Sequence, residues 1–284
     1  MTTEGAGVDR GCGWTWDPSL YAGSARFYAA GRAAYPPTIA DRLRTELSLD
    51  GQGRLLDVGC GPGSLTLLLA PLFAEAVGVD ADADMLTEAE RLAAEAGLRN
   101  LSWRHLRAED LPADLGEIRV ATFAQSFHWM DRPRVASVVR SMLTRDGALV
   151  HVSATTHEGV ASDAVRPHPQ PPQAALQQLV RDYLGDRRRA GRGVLSTSTA
   201  GGEDAVYRAA GFTGPQRIEI EGRVVERSLE EVAASLYSLS SAAPHLFGDR
   251  FAAFDADVRR LLHRASPDGH FSEQLGAVAL DVWR

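Results

Sequence analysis

The sequence predicts an α/β protein: a doubly wound, mostly parallel seven-stranded sheet with an N-terminal helical cap and a helical insertion after the fifth strand. Three observations predict it. Short apolar runs alternate with helix-period stretches between Arg54 and Val152. The run Leu55-Leu56-Asp57-Val58-Gly59-Cys60-Gly61-Pro62-Gly63-Ser64 reads as a buried strand, a glycine turn and the first turn of a helix. Strand-like alternation then returns at Arg217–Ile220 and Ala277–Val282, far down the chain, where it can close a sheet begun much earlier.

Each element follows from its residues. The glycine-rich stretch 1–18 is expected to be flexible. Tyr21 to Arg32 is plausible helix, and Tyr35-Pro36-Pro37 breaks the chain before a helix with Ile39, Leu43 and Leu47 on one face. Arg54–Val58 is the first core strand. The helix after Gly63 carries Leu65, Leu67, Leu68 and Leu69 almost all round, as a buried helix does. A second strand, Ala76–Val79, ends at Asp80. Leu86, Ala89, Ala93 and Ala96 form one helical stripe that Gly97 stops. Strands at Leu101–Leu106, Arg119–Ala124 and Ala148–Val152 follow, with a helix at Val135–Leu143 between the last two. The proline-rich Val165–Gln173 excludes regular structure, and Leu176, Leu179, Val180, Tyr183 and Leu184 return to helical spacing. Arginines cluster between 187 and 192. Phe251, Phe254, Val258, Leu261 and Leu262 mark a late amphipathic helix. The organisation expected is a core over 19–154, an insertion capping a pocket over 155–215, and completion of the sheet over 216–284.

Composition narrows the function. The chain has 284 residues, is 44% hydrophobic and carries a net charge of -7. An acidic chain lacks the general attraction to phosphate backbones, so nucleic-acid partners are not expected. The basic residues are all arginine. Without lysine there is no phosphate-loop lysine and no Schiff base on a protein amine. Cys12 and Cys60 make neither a disulfide framework nor a zinc site, so no metal is expected. No long apolar run appears, and the reading is a cytoplasmic protein without a membrane partner, monomeric or homodimeric.

Asp57, two positions before the glycines Gly59, Gly61 and Gly63, resembles motif I of the class I S-adenosylmethionine (SAM) methyltransferases. A dinucleotide fingerprint would need glycine where Ser64 stands. Ligands of such sheets bind outside the carboxyl ends of the strands, where Asp80 lies, so its carboxylate is read as the acceptor for the ribose hydroxyls. The alternative, that Asp80 caps the next helix, is open to Asp82 instead. Met85 falls where the family places an apolar residue against adenine, and it also suits plain core.

Further segments resemble the type-11 branch, which includes UbiE-like and trans-aconitate methyltransferase-like enzymes. Ala108-Glu109-Asp110-Leu111-Pro112 resembles its A-E-D-L-P segment, which implies that the Ala108 backbone and Glu109 side chain read the adenine edge. Gln125-Ser126-Phe127-His128-Trp129-Met130-Asp131 resembles its Q-x-x-H-W-x-D segment. That implies Gln125 at the cofactor, Trp129 in the acceptor pocket, and His128 as a candidate base or positioning residue. The stretch from Tyr28 through Arg32 to Tyr35-Pro36 resembles the branch's Y-x-x-x-R-x-x-Y-P element. The resemblance implies that Arg32 pairs with the SAM carboxylate and Tyr28 closes over the site.

The resemblance thus implies a Rossmann-like methyltransferase fold and methyl transfer from SAM to a small-molecule acceptor, with S-adenosylhomocysteine (SAH) as product. O-methylation is favoured. Carboxyl or N-methylation, SAM binding without methyl transfer, and an NAD enzyme are the alternatives.

Overall fold

The computed structural model describes residues 17–162, 165–186, 189–190, 193–194 and 202–284. A seven-stranded sheet forms its centre. In chain order its strands are β1 (Arg54–Val58), β2 (Glu75–Asp80), β3 (Leu101–His105), β4 (Ile118–Ala124), β5 (Leu143–Ser153), β8 (Gln216–Ile220) and β11 (Val278–Trp283). They lie side by side as β3-β2-β1-β4-β5-β11-β8. The first five are parallel; β11 runs antiparallel to both β5 and β8. Strand order reverses between β1 and β4, and this opens a crevice at the carboxyl ends of the strands.

Burial explains the strand composition. Leu55, Leu56 and Val58 of β1 are fully buried, covered by helices on both faces, so the strand reads as a continuous apolar run. The edge strand β8 alternates instead, with Ile218 and Ile220 inward. Helices α1 (Ala25–Gly31), α2 (Thr38–Glu46), α3 (Ser64–Leu69), α4 (Ala83–Glu95) and α5 (Arg132–Met142) fill the first half. The stripe expected on α4 is buried from Met85 to Ala93, while Ala96 lies just past its end and is exposed. Asp82 caps α4: its Oδ1 accepts the N–H groups of Asp84 at 2.9 Å and Met85 at 3.1 Å. Asp80 is therefore released from the capping role.

The second half divides between two places. Helices α6 (Gln173–Leu184), α8 (Leu229–Tyr237) and α9 (Phe251–Ala265) build a separate apolar cluster with Phe247, Phe254 and Tyr183. Helix α7 (Glu203–Ala209) packs on the central sheet, where Tyr207 is buried against Trp283 and Phe127. The interval expected as an insertion over 155–215 thus contributes both to the helical cluster and to the core. A two-stranded ribbon, β9 (Val224–Ser228) with β10 (His270–Gln274), brackets α8 and α9, leading into the first and out of the second, and was not anticipated from the sequence. The proline-rich stretch runs beside it: the Ser272 N–H donates to the Pro169 carbonyl at 3.0 Å. Residues 189–190 and 193–194 form the short pair β6 (Arg189–Ala190) and β7 (Gly193–Val194). Of the arginine cluster noted at 187–192, Arg187, Arg188 and Arg192 lie outside the described residues, as does the N-terminal stretch up to residue 16. Among the described residues no helix is long and apolar enough to cross a membrane.

Candidate functional site

The crevice at the carboxyl ends of β1, β2 and β4 holds a cavity of about 1050 Å³, its open mouth included. Its floor is the turn after β1. Gly59, Gly61 and Gly63 adopt φ of 68°, 54° and 79°, in the left-handed region that glycine enters without strain. Their roles differ. A Cβ on Gly61 would meet no protein atom within 4 Å, because this residue faces the cavity. A Cβ on Gly63 would strike the Trp103 ring at 2.6 Å, so Gly63 serves packing and does not line the wall.

Asp57 lies under this floor and is buried. Its Oδ2 accepts the Thr66 hydroxyl proton at 2.6 Å and its Oδ1 that of Thr122 at 2.7 Å. Burial holds its carboxyl above the usual carboxylate range, against the pull of the two hydroxyls. The bonds tie β1 to α3 and β4 and fix the turn between them.

Asp80 ends β2, the strand beside β1, and lies against the glycine turn. Its Oδ2 accepts the Gly61 N–H at 2.7 Å and its Oδ1 accepts the Asp82 N–H at 2.9 Å. Burial pushes its pKa up to about 6, although these bonds favour the ionised form. Met85, Leu106, Arg107 and Ala108 continue this wall. The Arg107 Nε is buried without a hydrogen-bond partner. Glu109 also lines the cavity, but its Oε1 accepts the Asp131 N–H at 2.8 Å and its Oε2 lies 3.3 Å from Arg107. Its carboxylate therefore braces the start of α5.

The facing wall comes from β4 and the N-terminal helix. Gln125 follows β4 with φ of 59°, an uncommon conformation for a residue with a side chain. It is held there by its Nε2 donating to the Ala154 carbonyl and by the next residue, whose hydroxyl donates from Ser126 Oγ to the Val58 carbonyl at 2.6 Å. A single 3₁₀ turn, Phe127–Trp129, comes next. With three residues per turn, successive side chains point in three directions. Phe127 enters the core and stacks on Tyr207 at 4.8 Å, while Trp129 lines the cavity. His128 takes the third direction. Its ring lies 4.8 Å from that of Trp129, and it is not part of the cavity wall.

Arg32 and Tyr28 complete the enclosure. The Arg32 guanidinium lies 4.6 Å from the Tyr28 ring centre, its Nε donates to Ser238 Oγ at 2.8 Å and its Nη2 to the Ser238 carbonyl at 3.1 Å. Tyr21, Tyr35 and Thr156 also line the cavity. Tyr21 meets Tyr28 and Trp129 edge-on, each at 6.4 Å. Enclosure raises both the Tyr21 and Tyr35 phenols well above their ordinary range, so both are neutral hydroxyls at physiological pH. Thus Tyr28, Arg32, Asp57, Gly59, Gly61, Asp80, Met85, Ala108, Glu109, Gln125 and Trp129 share one cavity; Gly63 and His128 stand outside its wall. Sequence reasoning missed Tyr21, Tyr35 and Thr156. Thr156 carried a usable signal, since it follows the carboxyl end of a parallel strand.

The family model for the methyltransferase domain matches residues 55–147, the stretch that supplies the cavity floor and two of its walls. Over that stretch the chain is similar to methyltransferase domains. An uncharacterized methyltransferase of Mycobacterium tuberculosis is 34% identical over 134 residues, 47% of this chain and 51% of the relative. The ubiquinone biosynthesis O-methyltransferase of Methylococcus capsulatus is 33% identical over 112 residues, 39% and 46% of the two chains. A 23S rRNA (uracil(1939)-C(5))-methyltransferase of Shewanella is 35% identical over 116 residues, 34% and 25%. The YcgJ protein from Bacillus subtilis superposes with a TM-score of 0.46 and 19% identity, covering 86% of this chain and 97% of that one. The chain spans about half or less of the length of the curated relatives it matches.

SAM is the cofactor that the resemblance of the glycine turn implies, and the residues present fit it. The space over Gly61 is a cradle that any side chain would fill. An ionised carboxylate offers about four acceptor positions. The two backbone N–H groups on Asp80 leave a pair for vicinal hydroxyls. Met85, Leu106 and Ala108 form an apolar wall suited to cover a flat base.

Proposed function

We propose that this chain transfers a methyl group from SAM to a small-molecule acceptor, with an oxygen nucleophile favoured. The observation that carries the reading is a cavity in which the Gly61 cradle and Asp80 share the lining with the aromatic side chains of Tyr21, Tyr28 and Trp129.

SAM supplies, when bound, a methyl group on a positively charged sulfur that leaves as a neutral thioether and needs no acid. The chain's own work is then to bind, align and exclude water. Asp80 accepts the ribose hydroxyls, Met85 and Ala108 cover the adenine, and Arg32 pairs with the carboxylate of the amino-acid tail. Gln125 and Asp57 hold the turns after β4 and β1 that border the cavity. Tyr21, Tyr28 and Trp129 close over the acceptor and keep out water that would compete for the methyl group. Alignment of this kind supplies roughly 7–11 kcal/mol of effective concentration. An oxygen acceptor suits this wall better than an ammonium. The carboxylates bordering the cavity are engaged: Asp57 by two hydroxyls, Glu109 by the Asp131 N–H and Arg107, Asp80 by two backbone N–H groups, with its remaining acceptor positions assigned above to the ribose. The enclosed shape and the net charge of -7 favour a small molecule over RNA.

Two measurements test the proposal. SAM and SAH are expected to raise the melting temperature of the purified chain while NAD does not. Incubation with SAM and a metabolite library is expected to release SAH with at least one acceptor. Protection by NAD alone would refute the cofactor assignment. Tight SAM binding with no turnover on any acceptor would favour a binding protein.

A further inference from the structure

Outside the cavity wall lies a buried ion pair that the reaction does not touch. Arg227, on β9, and Glu273, on β10, are 5% and 3% exposed, and Nη1 of Arg227 stands 3.0 Å from Oε2 of Glu273. Two charges leave water at a cost of several kcal/mol each, and pairs so buried often add little net stability. This pair is nevertheless elaborated on every side. Arg227 Nη2 donates to the Gly31 carbonyl at 2.7 Å and to the Glu231 carbonyl at 2.8 Å, and Nη1 reaches the His157 carbonyl at 3.4 Å. Glu273 Oε1 accepts the Gly159 N–H at 3.0 Å and the Gln173 Nε2–H at 3.2 Å.

Two of these partners, Gly31 and His157, adjoin residues of the cavity wall, and a third, Glu231, reaches it through α8. Gly31 precedes Arg32, and Ala33 donates its N–H to the carbonyl of Thr156 at 2.7 Å. His157 follows Thr156, and its Nδ1 lies 3.5 Å from Arg32 Nη1. Glu231 is in the first turn of α8, and Ser238, the residue that caps the other end of that helix, holds the Arg32 guanidinium twice. Between these grips α1 rests directly on α8. A Cβ on Gly31 would lie 2.4 Å from the Ala234 carbonyl carbon, an approach only glycine permits.

We infer that the Arg227–Glu273 pair is a positioning device for Arg32, holding the end of α1, the start of α8 and the 156–157 segment in the one arrangement that aims Arg32 into the cavity. Arg227 and Glu273 are positioning residues; Arg32 is the group that meets the ligand. The inference rests on the reading of the cavity as a SAM site. An arginine fork suits this task, since one guanidinium reaches a carboxylate and three carbonyls on separate segments, which an ammonium cannot do.

The test is SAH binding by titration calorimetry on the full chain, with the melting temperature measured alongside. Arg227→Lys keeps a cation opposite Glu273 and loses the fork. The double variant Arg227→Met, Glu273→Leu removes both charges and leaves none stranded, a replacement that commonly preserves folding. Either is expected to weaken SAH binding about 10- to 100-fold, the worth of one charge-assisted hydrogen bond from Arg32. The same substitutions made on top of Arg32→Ala are expected to add little, because the route through Arg32 is already cut. Unchanged SAH affinity, or an equal fall with and without Arg32, would overturn the inference. If the wild-type chain itself binds no SAH, the cofactor reading fails first and the inference with it.

Discussion

Asp80→Asn changes one atom of the candidate cofactor site, and its consequences can be worked from the hydrogen bonds. In the free chain one carboxylate oxygen takes the Gly61 N–H and the other the Asp82 N–H. An amide keeps one oxygen and turns an NH₂ group toward the second backbone donor. That stranded N–H costs about 1–3 kcal/mol of folding stability. The amide also leaves one acceptor position for the ribose where the carboxylate left two, and it carries no charge. Loss of one hydrogen bond to an ionised group, about 1.5–3 kcal/mol, raises the SAH dissociation constant about 10- to 100-fold. The pH dependence gives an independent check. Burial raises Asp80 from 3.8 to about 6 in the free chain. The native chain thus binds this proton more tightly than the unfolded chain, and stability from this group is lost as pH rises from 3.8 through about 6. Ligand binding has the opposite sign, because the ribose hydroxyls donate to the ionised form. SAH affinity is therefore full above about pH 7 and falls, approaching about tenfold per unit, below about 6. Calorimetry with SAH from pH 5 to pH 8 reads both effects, and Asp80→Asn should remove this component of the slope. An Asn variant that binds like wild type, or a wild type whose affinity is flat across that range, would refute the ribose assignment.

Other substitutions separate cavity from scaffold. Gly61→Ala and Gly51→Ala both place a Cβ at positive φ in open space, so each should lower stability by about 1–2 kcal/mol, but only Gly61→Ala should weaken SAH binding; equal binding by both would remove Gly61 from the site. Thr122→Val takes a donor from the buried Asp57 carboxylate and should cost about 1–3 kcal/mol in denaturant unfolding, whereas an unchanged midpoint would deny that bond any net value. Gly31→Ala should force α1 away from α8 at a cost of about 1–3 kcal/mol, read as a lower melting temperature; full stability would show that the contact yields easily. His128→Ala should leave SAH affinity intact and reduce turnover far less than the ~10²–10⁴-fold that loss of a general base entails. A drop of that size would put the imidazole on the reacting proton.

The part of the cavity built by β1 and β2 was legible because it is local. Strand, turn and helix around Gly59–Gly63 occupy consecutive residues, and Asp80 falls at a strand end that apolar periodicity alone marks. The role of Asp82 as helix cap was readable for the same reason. Directions around the turn after β4 were not legible. Gln125, His128 and Trp129 look alike as candidates in the sequence, and only the 3₁₀ geometry sends Trp129 inward and His128 elsewhere. Glu109 was expected at the adenine edge, and its bond to the Asp131 N–H depends on a loop packed from another strand. The least legible features join distant segments. Nothing near Arg227 announces that it meets Gly31, 196 positions away, or that Tyr21 closes on Trp129.

The stacking of Tyr207 beneath Phe127 bears on how such a chain can be divided. The family-matched stretch ends at residue 147, yet β5 is hydrogen-bonded along its outer edge to β11. Tyr207, from α7, plugs the far face of the turn that presents Trp129. A chain cut after Ser153 would bare a long apolar strand margin, the kind that pairs with any neighbour and aggregates. It would also leave the aromatic turn unsupported from behind. The family-matched stretch and the tail thus depend on one another for packing, and grafting that stretch onto another tail would require a new plug at the place of Tyr207.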